Sequence, residues 1–271
     1  MSPFLRHIRA CNDAVLPGGR LPFRLGTVQV GWVQPAMADT LAAFDGVERH
    51  GGMVDLHVPA RLPALARSLA EAGHFRHRGE AFDVRVVPGG EVLSTIDRGA
   101  LPAFGVMAEG IHVNGLVRRA DGLHLWVAKR AANKALDPGK LDHIVAGGMP
   151  AGHTPWETLV KEAAEEAAIP PALAETARPV ATLSYAMARP EGLRRDVLHC
   201  YDLELPEDFV PVPADGEVEG FSLWPVARVM EALRDTDDFK FNIGIVLIDL
   251  FIREGLVGGA EAVELRGQLG G

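Results

Sequence analysis

Two cysteines, Cys11 and Cys200, are all that the 271 residues contain. Neither a disulfide framework nor a thiolate metal site of paired spacing can be built from them, and a reducing cytoplasm is the expected setting. Long apolar runs are also missing. The most apolar stretch, 243–252 (IGIVLIDLFI), is roughly half the length a membrane-spanning helix needs and carries Asp249. It reads as a buried helix, with a homodimer face as the competing use. The opening MSPFLRHIRACNDA lacks the continuous apolar core of a secretion signal, so no membrane partner is expected. Positive charge is in deficit: the formal net charge of −9 speaks against nucleic acid as a partner, although an anionic small molecule can be met locally by metal and basic side chains. Absent too are a Gly-x-x-x-x-Gly-Lys-Ser/Thr phosphate loop, a Gly-x-Ser-x-Gly elbow and a His-x-x-x-His pair. His199 and Cys200 are adjacent in an alternating stretch that sends them to opposite faces, so they make no nucleophile and base.

What is present is ordinary globular material, 48% hydrophobic and 23% charged, in a length that suits about two domains. Its densest chemistry lies at 147–169, GGMPAGHTPWETLVKEAAEEAAI. A glycine-rich loop there opens directly into a helix whose start is well marked. Thr154 suits the N-cap, Pro155 the first helical position, and Glu157 completes a capping box. Within that helix Glu162, Glu165 and Glu166 follow the spacing i, i+3, i+4, which gathers three carboxylates on one side within about one turn. Like charges so placed repel, so a cation or water is expected to face them. A solvated, alanine-rich helix face is the competing reading of the glutamates taken alone.

These residues resemble the Nudix box: Gly, five residues, Glu, seven residues, Arg-Glu, an aliphatic residue, any residue, Glu-Glu, any residue, Gly, aliphatic. Gly147 aligns with the first Gly, Glu162 with the Glu of Arg-Glu, Glu165 and Glu166 with the Glu pair, and Ile169 with the last aliphatic. Three positions depart, with His153 for the first Glu, Lys161 for Arg and Ala168 for the second Gly. Lysine keeps the charge but not the planar fork that pairs a carboxylate bidentately. Ala168 matters if the helix ends there in a left-handed conformation. His153 replaces a residue that in the family braces loop against helix.

Along the chain, residues 1–104 read as a small α+β unit with a strand at 27–33, a helix at 59–73 and a strand at 81–87. Trp32 and the basic group Arg76, His77 and Arg78 are candidates for holding substrate, against core packing and surface solvation as the simpler uses. Residues 105–271 read as strands at 111–118 and 123–130 around an Ala120-Asp121-Gly122 turn, then the box, strands at 180–187, 196–205 and 217–224, and helices near 225–233 and 242–253. This order resembles the Nudix α/β/α sandwich, a mixed sheet between helices, and makes the whole chain α+β. Nudix enzymes commonly take a further carboxylate from after the box. The segment Asp215 to Glu219 lies where it belongs, with Glu217 favoured and Glu219 in reserve.

The resemblance runs further, through GIHVNGLV, VAGGMPAG, DGEVEGFSLW and FKFNIGIVLIDLFIREG, to the thiamine-pyrophosphokinase-related Nudix subfamily with its extra N-terminal domain. It implies cleavage of an organic diphosphate to its monophosphate and phosphate, with thiamine diphosphate or its oxidised analogues as substrates. Mg²⁺, with Mn²⁺ as alternate, is the implied cofactor, held by Glu162, Glu165, Glu166 and the Gly147 carbonyl. The chemistry also needs a carboxylate to take a proton from the attacking water, Glu165 or Glu217. Lys129 and Arg130 are candidate phosphate contacts, although a solvated strand end is the competing reading. Hydrolysis of ADP-ribose or nucleoside diphosphates, and a binding module that senses a diphosphate without cleaving it, are the alternatives.

Overall fold

A computed structural model describes residues 2–134, 136–214 and 216–269. Ten elements come first: α1 (Leu5–Cys11), β1 (Leu21–Leu25), β2 (Val28–Val33), α2 (Pro35–Leu41), β3 (Val47–His50), β4 (Met53–Leu56), α3 (Leu62–Glu71), β5 (Ala81–Val84), β6 (Ser94–Asp97) and α4 (Leu101–Phe104). A four-stranded sheet of order β2-β1-β4-β3 and a β5-β6 hairpin enclose a core of Phe23, Leu41, Leu56, Leu62, Leu69, Phe82 and Phe104. The expected helix at 59–73 is α3, preceded by a 3₁₀ turn at Pro59–Arg61. β1 escapes sequence patterning because of Pro22, which has no N–H to give a ladder. The strand tolerates it because pairing with β4 begins only at Phe23.

The remaining elements are β7 (Met107–Arg119), β8 (Gly122–Arg130), β9 (Leu141–Asp142), β10 (Val145–Gly148), α5 (Pro155–Ala167), α6 (Pro171–Ala174), β11 (Arg178–Arg189), β12 (Gly192–Glu204), β13 (Val218–Pro225), α7 (Val226–Asp235), α8 (Ile243–Arg253) and α9 (Gly259–Leu269). They form a seven-stranded sheet of order β11-β12-β7-β8-β13, with β10 on β7 and β9 on β8. Its β7–β12 pair is parallel and the others are antiparallel. Strand alternation sends Leu125 and Val127 into one core and Trp126 into the other. On the Trp126 face lies α5, through Leu159, Ala163 and Ala167; on the opposite face lie α7, α8 and α9. The fold is therefore α+β, a Nudix-type sandwich behind an additional N-terminal region.

Two details bear on the sequence reading. α8 is buried along nearly its whole length, from Ile243 through Ile252 with only Asp249 less covered, so its apolar residues are used inside the chain and not on a dimer face. The division at 104/105 assigns residues 5–11 to the first unit, yet Phe4, Leu5, Ile8 and Cys11 join the core of α8 and α9. A local apolar pattern does not say which neighbour covers it.

Candidate active site

The box helix α5 starts as its sequence dictates. Thr154 Oγ1 accepts the Glu157 N–H (3.2 Å), and Glu157 Oε2 accepts the Thr154 N–H (2.9 Å). At the other end Ala168 adopts a left-handed conformation, φ 51° and ψ 33°, the backbone that glycine, the residue of the Nudix pattern here, adopts most readily. An L-alanine there carries about 1–2 kcal/mol of backbone strain. Gly147 and Gly148 are not loop residues as the sequence suggested, but the end of strand β10, paired with Ile111 and Gly110. Their absent side chains explain them. A Cβ on Gly147 would stand 2.6 Å from Glu162 Cδ, and one on Gly148 would stand 2.6 Å from Phe82 Cζ. The strand thus lets the box helix approach on one face and the first unit on the other.

Glu162 is the carboxylate lying over Gly147. Burial pushes it up from the ordinary range, with Lys161 pulling against that and Glu165 and Glu80 adding to it. Lys161 stands between two glutamates, its Nζ 2.9 Å from Glu162 Oε1 and 2.7 Å from Glu165 Oε2. Glu166 is buried, with Oε2 accepting the Ala146 N–H at 2.8 Å. Glu165 is the outermost of the three, about half exposed. The Gly147 carbonyl oxygen lies toward β7, where a Cβ on Gly110 would meet it at 2.8 Å.

A narrow crevice opens where β8 and β10 share one edge of β7, β10 taking residues 110–113 and β8 residues 115–119. Glu166 and Glu217 line it together with Arg130, Lys134, Asp142 and His143. Glu217 sits just before β13 and pairs with Lys134. Burial raises its carboxyl, but Lys134, Arg98 and Arg130 outweigh that and hold it below its usual range. Glu219, the reserve, instead pairs with Lys129 at 2.9 Å, and neither lines the crevice. Asp215 lies outside the described residues. Arg130 faces the crevice but is committed: it donates to Asp142 Oδ2 (2.7 Å), Leu136 O (2.8 Å) and Asp137 O (3.1 Å). Lys134, Asp142 and His143 were not singled out by sequence reasoning, since the registers of β8, β9 and β13 bring them here.

Trp32 is half-buried on β2, and Arg76, His77 and Arg78 are exposed in the loop before β5. That hairpin meets the box directly. Ala151 N–H donates to Ala81 O (2.8 Å) and Gly152 N–H to Asp83 Oδ2 (3.1 Å).

Two groups have the composition of a metal site. His112, Asp142 and His143 are buried, with ligand atoms within 4.8 Å of one another. Their charge is already answered, however. Asp142 faces Arg130 at 2.7 Å and Lys240 at 3.5 Å, and accepts the His143 N–H at 2.9 Å. A divalent ion there would displace or oppose two buried cations, so this group does not fit one. The His112 and His143 Nδ1 atoms lie 3.0 Å apart, one donating and one accepting, which two neutral rings can do. Burial pushes His143 down to about 4 and His112 well below its usual value. The box carboxylates do fit a hard divalent cation. They offer only oxygen, Glu162 sits in a cradle a Cβ would fill, and the Lys161 ammonium stands where opposite charge is demanded.

Residues 109–243 match the NUDIX domain. The chain is 38% identical over 270 residues to Nudix hydrolase 24, chloroplastic, of Arabidopsis thaliana, covering 95% of this chain and 74% of that protein. It is 36% identical over 277 residues to Nudix hydrolase 20, chloroplastic, of the same plant, covering 95% and 74%. Among solved structures, DR0079 from Deinococcus radiodurans is similar at 21% identity and a TM-score of 0.46, over 69% of this chain and 98% of that one. The Arabidopsis relatives align with nearly the whole chain, the first unit included, and on that similarity the protein belongs to the Nudix hydrolases.

Proposed function

We propose that this hydrolase cleaves an organic diphosphate to its monophosphate and phosphate, with thiamine diphosphate or its oxidised analogues as substrates and Mg²⁺, or Mn²⁺, as cofactor. The observation that carries the reading is the convergence of Glu166 and Glu217 on one crevice, with Glu162 seated on Gly147 beside it. Glu162, Glu165 and Glu166 would hold the ion, and the Gly147 carbonyl would join its shell only by turning from β7. When bound, the ion neutralises phosphate charge and makes an attacking water more acidic. Glu217 then takes the water's proton at a carboxylate oxygen, a role supported by its place in the crevice, where the neighbouring cations keep it ionised at the cost of some basicity; Glu165 is less suited because it faces outward. Lys134, freed from Glu217, is placed to meet a phosphate oxygen as a point charge. Lys129 and Arg130 stay in the proposal as outer contacts, Arg130 by fixing the loop that carries Leu136 and Asp137.

The unit at 1–104 is proposed to select the organic group, because its β5-β6 hairpin is bonded to the box loop. Both cysteines are free and buried, as a cytoplasmic setting would allow, and no helix among the described residues is long and apolar enough to cross a membrane. The test is incubation of the full chain with Mg²⁺ and a panel of thiamine diphosphate, its oxidised analogues, ADP-ribose and nucleoside diphosphates, with Glu166→Gln alongside. Cleavage of thiamine-type diphosphates by the wild type alone is the expected result. Cleavage confined to ADP-ribose or nucleotides would replace the substrate and keep the mechanism. Binding without turnover across the panel would favour the sensing module.

A further inference from the structure

We propose that Arg98, in the first unit, is the anchor for the terminal phosphate of the substrate, and that Glu80 holds it until substrate arrives. The proposal rests on the diphosphate reading above and adds a residue to it.

The argument begins with where Arg98 is fixed. The hairpin that carries it is attached to the box loop by the two hydrogen bonds from Ala151 and Gly152, and Phe82 presses on Gly148 so closely that a Cβ would overlap its ring. Arg98 follows β6 directly, its N–H donates to Glu80 O at 2.8 Å, and its guanidinium lies 5.9 Å from the centre of that same Phe82 ring. Its seat is rigid. Asp97 accepts N–H bonds from Arg78 (2.9 Å), Gly79 (2.8 Å) and Gly99 (2.8 Å), and the backbone of Arg76 packs against Gly99 without room for a Cβ. Phe82 and the two hydrogen bonds so hold Arg98 and Glu80 beside Gly148, next to the Gly147 over which Glu162 lies, and the charge of Arg98 is felt at Glu217 and that of Glu80 at Glu162.

The chemistry of the pair suits exchange. Arg98 Nη1 lies 2.8 Å from Glu80 Oε2, with the side chains 53% and 34% exposed. An ion pair so open to water contributes little. A phosphate offers the guanidinium fork two oxygens at once and more negative charge than one carboxylate. The Phe82 ring, 5.9 Å from the guanidinium, offers it a contact that does not depend on which anion it pairs. A substrate phosphate arriving beside Gly147 and Gly148 therefore competes with Glu80 on favourable terms.

The experiment uses the full chain as wild type, Arg98→Ala, Arg98→Lys and Glu80→Gln. Calorimetric titration with methylenediphosphonate in Mg²⁺ reads binding without turnover, and steady-state kinetics on the panel substrates follow. Loss of one charge-assisted phosphate contact is expected to weaken binding by roughly ten- to a hundredfold in Arg98→Ala. KM should rise more than kcat falls, Arg98→Lys should recover part of the loss, and Glu80→Gln should tighten binding by removing the competitor. Opposite signs for the two partners are the signature, because a merely structural ion pair would lose in both variants. Equal binding by wild type and Arg98→Ala, or weakening by Glu80→Gln as large as by Arg98→Ala, would overturn the proposal. Wild type that binds the phosphonate but turns over nothing refutes the hydrolytic reading while the Arg98 comparison still decides. No binding by wild type overturns both.

Discussion

Two clusters of carboxylates and cations meet at the crevice, and they behave oppositely. Around Asp142 the cations are locked: Arg130 and Lys240 are largely buried, the histidines are neutral, and His143 Nε2 has no hydrogen-bond partner among the described residues. Around the box the cations are loose. Lys161 is 40% exposed between Glu162 and Glu165, and Lys134 meets Glu217 at the crevice. Composition alone would nominate both clusters for metal. The difference is whether the opposing charge can leave, since a lysine in water is displaced cheaply and a buried arginine is not.

The largest expected effect tests the open cluster. Glu166→Gln keeps an acceptor for the Ala146 N–H but removes a ligand charge. Because a catalytic metal supplies several kcal/mol of transition-state stabilisation, kcat/KM should fall by about 10²- to 10⁴-fold. Retained turnover in the folded variant would erase the contrast between the clusters. Next, Asp142→Asn leaves Arg130 and Lys240 without their buried counter-charge and should destabilise the fold by about 3–5 kcal/mol in urea denaturation. The matching change in the open cluster, Lys134→Met, should stay within about 1 kcal/mol. Similar losses in the two variants would show that both clusters are closed.

The pH dependence sharpens the same point. Burial holds His143 down to about 4 in the folded chain against an ordinary 6.5, so between those values the unfolded chain binds a proton that the folded one refuses. Stability is therefore fully present above about pH 6.5 and declines as pH falls, by about 3 kcal/mol at pH 4 for this ring alone. His143→Gln should flatten the decline in thermal melts at pH 7 and pH 4.5. A decline of unchanged slope would assign it to other groups. The smallest effect concerns the end of the box helix: Ala168→Gly should raise stability by about 1 kcal/mol, because glycine relieves the left-handed strain at that cap. A loss of stability there would mean that the alanine methyl packs usefully.

The parts of the site visible in the sequence are those governed by near neighbours. The capping box, the register of Glu162, Glu165 and Glu166 and the stop before Ile169 all depend on contacts within a few residues, and each is present in the structure. β1 was hidden by Pro22, whose acceptability depends on where the β4 ladder begins. The strand character of Gly147 and Gly148 was hidden because glycines ordinarily signal a loop, whereas here they clear space for Glu162 and Phe82. Lys134, Asp142 and His143 carry no motif. Only the pairing of β8 with β9 and β13 carries them to the crevice of Glu166 and Glu217.

By itself the sequence determined the box helix, its cap, its carboxylate spacing and the α+β character of the chain, because helix periodicity and capping are read over one or two turns. Tertiary structure decided which carboxylates share a crevice and which cations can leave them. It also decided that α1 packs on the C-terminal helices and that a hairpin from the first unit sits on the box loop. Those outcomes rest on contacts between residues tens of positions apart, and their energies depend on burial and dielectric surroundings that no local pattern records.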